Sequence, residues 1–432
     1  MKKRILIITV FLALFAIAGN AQIVCHVEGE LMSNKYGYDI VICEQGTDLR
    51  VNDDPSLHVR AVNGKFTKTI ECDHVTQYVA FLYGQYRTGA GRAAPFYAEN
   101  GTVRLKLYAD EEHFVESDGE QWLMKHHLDS LLNDKYGELN DVYNLFFDNE
   151  RKSQYYTSDF LNSRAKLYQE LNKSASNKAR VDSINRVLDQ ISSNPNRFTP
   201  EGLDLYTKKN RLENEKVNYK YQYYADHPML ESLYETLDAI NMLIHREIYN
   251  DFDPHPYERL IALYHDKLIN YFPGHPIHEQ IAITEAGYNL QPGKPYIDYN
   301  VRNTDGQLVP ISSLINGKVT LIDLWASWCG PCRRHSIAMI PIYEKYKDLG
   351  FTVVAIARED SREKMDMAMK QDGYPWPSLL ELKDENQVWR KNGADNSGGT
   401  MILVDRDGTI LSTSTEASEL EPLIRKALGL EQ

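Results

Sequence analysis

Two cysteines three residues apart, Cys329 and Cys332, are the residues of this chain whose type and spacing most directly suggest chemistry. Thiol–disulfide exchange needs one sulfur with thiolate character and a second sulfur that can attack it within the molecule. At the start of a helix, positions i and i+3 share a face, and the backbone N–H groups there lower a cysteine pKa. Pro331 suits this first turn because its φ is preset and it lacks an N–H group. The pattern predicts a redox centre with an exposed nucleophile, Cys329, and a less exposed resolving thiol, Cys332.

The same Cys-x-x-Cys spacing also occurs in zinc sites, which is the main alternative interpretation. Such a site needs two further ligands, typically a second cysteine pair or a histidine pair, and neither follows in the sequence. We therefore expect no metal and no other cofactor. A structural cysteine pair remains the other alternative.

Asp323 is the second candidate, because it interrupts the largely apolar segment 319–325 six residues before Cys329. A buried carboxylate has a raised pKa. Close to Cys332, such a group would accept the proton of the resolving thiol as that thiol attacks. The alternative is an aspartate at a sheet edge with an ordinary hydrogen bond.

The segment 321–333, Leu-Ile-Asp-Leu-Trp-Ala-Ser-Trp-Cys-Gly-Pro-Cys-Arg, resembles the active-site stretch of thioredoxins and of exported TlpA/ResA-like thiol–disulfide oxidoreductases. The lead-in Gly-Lys-Val at 317–319 is similar to that of the exported group. The resemblance covers about residues 290–432 and implies a thioredoxin fold, a fairly reducing couple and a buried acid at Asp323. The expected partners are exported protein thiols or disulfides. In an oxidising compartment such an enzyme would also need an electron donor, for example a membrane reductase, which the sequence does not identify. The active-site motif would further include Trp328, Gly330 and Pro331.

The resemblance also places a substrate-facing loop at Gly398, Gly399 and Thr400, where the chain departs from the family. Relatives have a cis-proline at the position of Gly399, and the residue before it pairs with the substrate backbone. The Gly398-Gly399 pair therefore predicts a looser loop and weaker substrate positioning.

A second departure follows the cysteine pair, where relatives carry an acidic residue and a proline. Here Arg333 and Arg334 are basic, and Pro341 takes the place of the helix-kinking proline. The arginines either favour a thiolate at Cys329 or form a solvated basic face.

The N-terminus has the layout of a secretory signal peptide over residues 1–21. A basic start at 2–4 precedes an apolar run at 5–18 and small residues at 19–21. This predicts a protein of the periplasm or cell envelope, with a retained membrane anchor as the alternative. Val24 argues against a lipid anchor on Cys25, because a small residue is expected before a lipidated cysteine. The net charge of −13 argues against nucleic acid as a partner.

Three regions are expected to follow the signal peptide: a β-sandwich-like domain over 22–115, an α-helical region over 116–287 and an α/β thioredoxin-like domain over 288–432. In the first, short β-rich runs predict an antiparallel sandwich or small barrel. If its first two strands form a hairpin, Cys25 would lie close enough to Cys43 for a disulfide; buried thiols are the alternative. In the second, residues 155–192 are expected to form one long charged helix.

The first region also resembles, through its segments 63–66 and 96–103, a β domain of unknown function that precedes thioredoxin domains in Gram-negative envelope proteins. This resemblance implies no activity. Taken together, the sequence predicts a periplasmic thiol–disulfide oxidoreductase that reduces or isomerises disulfides of exported proteins. The alternative is a redox-sensing binding module with little turnover, which Gly399 favours. A peroxidase is disfavoured because the usual Thr/Ser-x-x-Cys context is absent.

Overall fold

The computed structural model describes residues 22–89, 91–148, 153–174, 177–245 and 253–430. The predicted signal peptide at 1–21 lies outside these residues. The described chain divides into two compact units, one formed by residues 22–45 and 56–122 and the other by 46–55 and 123–430. Within the described parts of the chain, no helix is both long enough and apolar enough to cross a membrane.

The first unit is a sandwich of two four-stranded sheets that share one apolar core. The strands alternate buried and exposed side chains, as expected when one face of each sheet is packed. The sheet orders are β4-β1-β7-β8 and β3-β2-β5-β6, and β1 pairs parallel with β7 while the other pairs are antiparallel. The elements are β1 (Ile23–Leu31), β2 (Asp39–Glu44), β3 (His58–Arg60), β4 (Lys65–Cys72), β5 (Thr76–Leu82), α1 (Tyr83–Tyr86), β6 (Ala94–Ala98), β7 (Gly101–Leu107) and β8 (Phe114–Ser117).

The expected hairpin between the first two strands is wrong. Cys25 lies on β1, between β4 and β7, whereas Cys43 lies on β2 in the other sheet. The chain crosses from one sheet to the other after β1, so the hairpin that would bring the two sulfurs together does not form. Both cysteines are buried thiols in the core, which is the alternative interpretation.

The central region is helical, as predicted, but residues 155–192 do not form a single helix. They form two helices, and Asn177 begins the second by accepting a hydrogen bond from the backbone N–H of Arg180. Thr157 begins the first helix in the same way, through the N–H of Phe160. The helices are α2 (Glu120–Tyr136), α3 (Glu138–Phe147), α4 (Ser158–Lys173), α5 (Lys178–Ser193), α6 (Pro200–Asp226), α7 (Leu230–Ile244), α8 (His255–Asp266) and α9 (Ile277–Tyr288).

The C-terminal region is a five-stranded mixed sheet with helices, in the strand order β13-β12-β11-β14-β15. The strand β11 lies at the centre, parallel to β12 and antiparallel to β14, and is buried along its whole length. A short hairpin of β9 and β10 precedes it. The elements are β9 (Asn300–Arg302), β10 (Leu308–Pro310), β11 (Val319–Trp325), α10 (Gly330–Tyr346), β12 (Phe351–Glu359), α11 (Arg362–Asp372), β13 (Ser378–Leu382), α12 (Val388–Lys391), β14 (Met401–Asp405), β15 (Ile410–Ser412) and α13 (Ala417–Ala427).

This architecture confirms the predicted fold class of an N-terminal all-β region, a helical middle and a C-terminal thioredoxin fold. The crossover from β11 through α10 to the parallel strand β12 places the N-terminus of α10 at the carboxyl end of β11. In open α/β sheets, ligands bind outside the carboxyl ends of the strands. The boundaries at 115/116 and 287/288 stay predictions.

Candidate active site

A disulfide between Cys329 and Cys332 lies at the N-terminus of α10, with Cα atoms 5.4 Å apart. Cys329 is the N-cap residue, and its sulfur accepts the backbone N–H of Cys332 at 3.3 Å. The sulfur of Cys332 accepts the backbone N–H of Gly399 at 3.2 Å. Each sulfur therefore lies in front of a backbone donor that would stabilise negative charge on it.

The expected contrast in exposure between the two cysteines is wrong in this oxidised state. Cys329 is 4% exposed and Cys332 is 6% exposed. Both sulfurs pack under Gly398, since a Cβ atom built there would lie 3.9 Å from each of them. The disulfide bond holds the sulfurs in one shared environment, so neither is more open than the other.

Asp323 is buried on the central strand β11, between Ala355 of β12 and Met401 of β14, and not at a sheet edge. Its Oδ2 accepts the hydroxyl of Ser336 at 2.7 Å. The Ser336 hydroxyl also lies 3.1 Å from the carbonyl oxygen of Cys332, one helical turn earlier. Burial raises the pKa of Asp323 to about 7, although the Ser336 hydrogen bond acts in the opposite direction.

The loop at 398–400 is tied to β11 and to the disulfide. The N–H of Leu324 donates to the carbonyl of Thr400 at 2.9 Å. A Cβ atom at Gly399 would lie 1.9 Å from the carbonyl oxygen of Leu324, so only glycine fits this backbone without a shift. Every peptide bond in the described residues is trans, including the one before Gly399. The loop is held closely against β11 in place of the looser arrangement expected from the sequence.

The two arginines after the pair have different environments. Arg333 forms a bidentate ion pair with Asp372, at 2.6 and 2.7 Å, and also donates to the carbonyl of Ser327 at 3.2 Å. Because Asp372 compensates its charge, Arg333 neither acts as a free cation near Cys329 nor forms part of a solvated basic face. Arg334 is exposed, and Pro341 lies inside α10 as expected.

The residues around the motif include a carboxylate that the sequence analysis missed. Glu359, at the end of β12, is fully buried and accepts both the N–H and the hydroxyl of Ser327, the latter at 3.0 Å. It thereby fixes the backbone just before Trp328, whose ring packs on that of Trp389 with 5.5 Å between the ring centroids. Gly330 and Pro331 are exposed at the start of α10. An acidic residue ending a buried strand was the available signal for Glu359.

A cavity of about 580 Å³ opens beside the loop at residues 398–400. It is lined by Gly398, Gly399 and Thr400 on one side and by residues of α7 and α9, including Leu243 and Tyr288, on another. The backbone that covers the disulfide therefore also borders a space large enough for side chains of a bound polypeptide.

In the described part of the chain, no group of three or more His, Cys, Asp or Glu side chains is arranged to hold a metal ion. The two cysteines are bonded to each other, and their sulfurs accept the backbone N–H groups of Cys332 and Gly399. These residues form a disulfide site.

Comparisons with known proteins agree with this geometry. The Redoxin family model matches residues 291–428. The thiol-disulfide oxidoreductase ResA of Bacillus thuringiensis is 25% identical over 122 residues, which are 28% of this chain and 68% of that protein. Thioredoxin of Coprinus comatus is 31% identical over 81 residues, which are 18% of this chain and 73% of that protein.

Among solved structures, the thioredoxin domain of a thiol-disulfide oxidoreductase from Bacteroides vulgatus is 23% identical, with a TM-score of 0.29. The match covers 32% of this chain and 99% of that one. The similarity to the Coprinus comatus thioredoxin spans most of that protein. On this sequence similarity, the chain belongs to the thioredoxin family and is a thiol–disulfide oxidoreductase.

Proposed function

We propose that this oxidoreductase reduces or isomerises disulfides of exported proteins, with Cys329 as nucleophile and Cys332 as resolving thiol. The observation that carries the proposal is the position of Cys329 at the N-cap of α10, where its sulfur accepts a backbone N–H. Such donors and the helix dipole stabilise a thiolate more than a thiol, which lowers the cysteine pKa.

The reaction starts from the reduced dithiol. The Cys329 thiolate attacks one sulfur of a client disulfide, a Cys329–client bond forms, and the other client sulfur leaves with the electron pair of the broken bond. Cys332 then attacks the Cys329 sulfur, which forms the Cys329–Cys332 disulfide and releases the second client thiolate. The client gains two electrons, and the protein dithiol loses two.

Asp323 supports the second step as a proton acceptor. A carboxyl group with a pKa near neutrality can take the proton of Cys332 when that thiol attacks. Ser336 joins the carboxyl to the helical turn of Cys332, because its hydroxyl lies within hydrogen-bond distance of both Asp323 and the Cys332 carbonyl. When Asp323 is ionised, Ser336 donates to it; when Asp323 is protonated, the carboxyl can donate to Ser336.

The loop at Gly398, Gly399 and Thr400 is proposed to hold the client. Its backbone lies over both sulfurs and borders the cavity, so an extended client segment crossing Gly398 would bring its sulfur to Cys329. Strand-like backbone pairing is a common way to bind an extended peptide with little dependence on its sequence.

The signal-peptide pattern supports a site of action in the periplasm or cell envelope. Because each turnover leaves the pair oxidised, a reductive role there requires an electron donor, which we propose to be a membrane reductase. An oxidising compartment does not itself return the disulfide to the dithiol state.

Trapping of mixed disulfides tests the proposal. Cys332→Ala, expressed in the periplasm of a Gram-negative host, should accumulate client proteins bonded to Cys329, because the resolving sulfur is missing. Cys329→Ala is the matched control and should trap none. Equal trapping by Cys329→Ala would reverse the assignment of nucleophile and resolving thiol.

The redox-sensing binding module is the second candidate, and the burial of both cysteines favours it. Reduction of insulin with dithiothreitol as electron source separates the two functions. An oxidoreductase accelerates the reaction over dithiothreitol alone, whereas a sensor with little turnover does not.

A further inference from the structure

Residues 46–55, which we call the strap, contact the rim of the active site although they lie far from it in the sequence. The Arg50 guanidinium stacks on the ring of Trp328, with its carbon 3.7 Å from the ring centroid. Arg50 also donates to the carbonyl of Asn396. Trp328 directly precedes Cys329, and Asn396 lies two residues before Gly398. Arg50 therefore touches both segments that flank the disulfide.

A buried ion network holds the strap in this position. Asp48, whose side chain is 2% exposed, accepts hydrogen bonds from Arg50 at 2.7 and 2.8 Å and from Arg358 at 2.8 Å. The side chain of Arg358 is 4% exposed and is also paired with Asp384. A buried charge that loses its partner is strongly unfavourable, so Asp48 and Arg358 hold each other in place.

Further hydrogen bonds fix the two ends of the strap. The carbonyl of Gly46 accepts the side-chain amide of Asn396 at 3.0 Å, and the Asn52 amide donates to Asp384 at 3.3 Å. Within the strap, the N–H groups of Val51 and Asn52 both donate to the carbonyl of Asp48, which makes a tight turn. The turn presents Arg50 to Trp328 as a planar cation on an aromatic face, a contact that Lys would reproduce poorly.

The strap narrows the approach to Cys329. Arg50 contacts both Trp328 and the loop before Gly398, so a client that approaches the Cys329 sulfur between these two segments meets Arg50. A small disulfide, or one in a thin extended polypeptide segment, could therefore reach the Cys329 sulfur for the proposed exchange without moving Arg50. A disulfide inside a folded domain brings bulk that must displace Arg50, so its exchange is slower.

We infer that Arg50 is a specificity-determining residue, which makes Cys329 react faster with disulfides of small molecules and of unfolded or extended polypeptide segments than with disulfides inside folded domains. The inference depends on the proposed exchange reaction only for the identity of the incoming group. The steric restriction itself concerns access to one sulfur and can be measured without turnover.

The access test uses Cys332→Ala, reduced, in which Cys329 is alkylated either by iodoacetamide or by a maleimide carried on a polyethylene glycol chain. Mass spectrometry of the Cys329 peptide separates this thiol from the others. Adding Arg50→Ala should raise the rate with the bulky reagent relative to iodoacetamide by about twofold to thirtyfold, the range set by the loss of one arginine–aromatic contact. An unchanged or lower ratio would overturn the inference.

Arg60→Ala is the matched control, because Arg60 is an arginine whose side chain is 71% exposed and paired with exposed Asp39. It removes the same charge from the protein and should leave the ratio unchanged. A change as large as that of Arg50→Ala would also overturn the inference, because net charge and not the strap would then control access.

A turnover test then compares two disulfide substrates with the full chain: a pair of short unstructured peptides joined by a disulfide, and native insulin. Arg50→Ala should increase the rate on insulin relative to the peptide pair. If the wild type reduces neither substrate while the alkylation ratio responds to Arg50→Ala, the restriction stands and the proposed function fails. If both substrates are reduced and both ratios stay unchanged, the proposed function stands and the strap inference fails.

Discussion

The molecule holds two sets of cysteines, one in the β-sandwich and one at the start of α10, and burial does not distinguish them. Cys25 is 0% exposed and Cys329 is 4% exposed. What differs is the polar environment of the sulfur. Burial raises the pKa of Cys25 to about 11, although a backbone hydrogen bond from Glu99 acts in the opposite direction, and repulsion from Cys72 and from the carboxylates of Glu99 and Asp118 adds to the rise. The sulfurs of Cys329 and Cys332 also face backbone N–H donors, and these sulfurs lie at the N-terminus of a helix, where the helix dipole favours negative charge.

In this fold, local charge stabilisation rather than exposure distinguishes the proposed exchange cysteines from the buried thiol on β1. A buried thiol with carboxylates nearby stays protonated, whereas a buried sulfur in front of N–H donors at a helix N-terminus can ionise. The difference arises from the secondary structure: β1 offers Cys25 a place between two strands, and α10 offers Cys329 an N-cap position.

The largest loss of turnover is expected when a cysteine at the start of α10 is replaced by alanine, and the same replacement in the β-sandwich is its control. Cys329→Ala should lower the catalysed rate of insulin reduction by at least about a thousandfold, because it removes the proposed nucleophile. Cys25→Ala should leave the rate within about twofold, because a buried thiol on β1 acts as a small apolar side chain. Rates measured with dithiothreitol as electron source check both. Comparable losses of turnover in the two variants would show that the environment of the sulfur does not decide which cysteine takes part in exchange.

The next largest effect is expected from Asp323→Asn, which keeps the shape and removes the carboxyl. A group that transfers a proton contributes about a hundredfold or more to a rate, so turnover near pH 7 should fall by about a hundredfold. The slow step should become the release of the mixed disulfide. A mixed disulfide that resolves at the wild-type rate would show that Asp323 does not take the Cys332 proton.

The stability of the same variant gives an independent readout. The folded pKa of Asp323, about 7, lies above its ordinary value of 3.8, so between these pH values the folded chain binds more protons than the unfolded chain. Stability of the wild type should therefore fall as pH rises from about 4 to about 7 and then level off. Asp323→Asn should remove this part of the slope and gain up to about 4 kcal/mol at pH 8. Urea unfolding at several pH values measures it.

A smaller effect on stability and turnover is expected from substitutions in the loop that faces the disulfide, where two adjacent glycines differ in the space available for a Cβ atom. Gly399→Ala would place a methyl group 1.9 Å from the carbonyl oxygen of Leu324 and should cost about 1–3 kcal/mol of stability while displacing the loop. Gly398→Ala meets only ordinary contacts at 3.9 Å from the sulfurs and should fold as well as the wild type. Thermal unfolding and insulin reduction together test this. Equal losses in both variants would mean that the close approach to Leu324 does not limit Gly399.

The sequence was informative where the chemistry depends on local spacing. Cys329, Cys332 and the strand carrying Asp323 follow from one segment of strand, turn and helix, so their positions were predictable. The Arg50–Trp328 contact and the Asp48–Arg358 pair join segments far apart in the sequence, and no local pattern indicates them. The Cys25–Cys43 proposal was wrong for the same reason: the parallel pairing of β1 with β7 is a long-range choice. The break at Asn177, by contrast, had a local signal, an asparagine suited to begin a helix.

The smallest effect on turnover is expected from alkylating the thiols of the β-sandwich. This experiment tests directly whether the environment of Cys25 suppresses its ionisation. Cys72 is half-buried, and burial raises its pKa, while Cys25 is buried with a pKa raised from 9.0 to about 11. At pH 8 the two-unit shift alone lowers the thiolate fraction of Cys25 about a hundredfold below that of an ordinary thiol.

Iodoacetamide on the native chain should therefore label Cys72 first, with little loss of insulin reduction. Labelling of Cys25 should stay far slower and should accelerate about tenfold per pH unit between pH 8 and 10, because only the thiolate reacts. A Cys25 that reacts as fast as Cys72 at pH 8 would show that its carboxylate-rich, buried environment does not suppress ionisation, and the contrast with Cys329 would then need another cause.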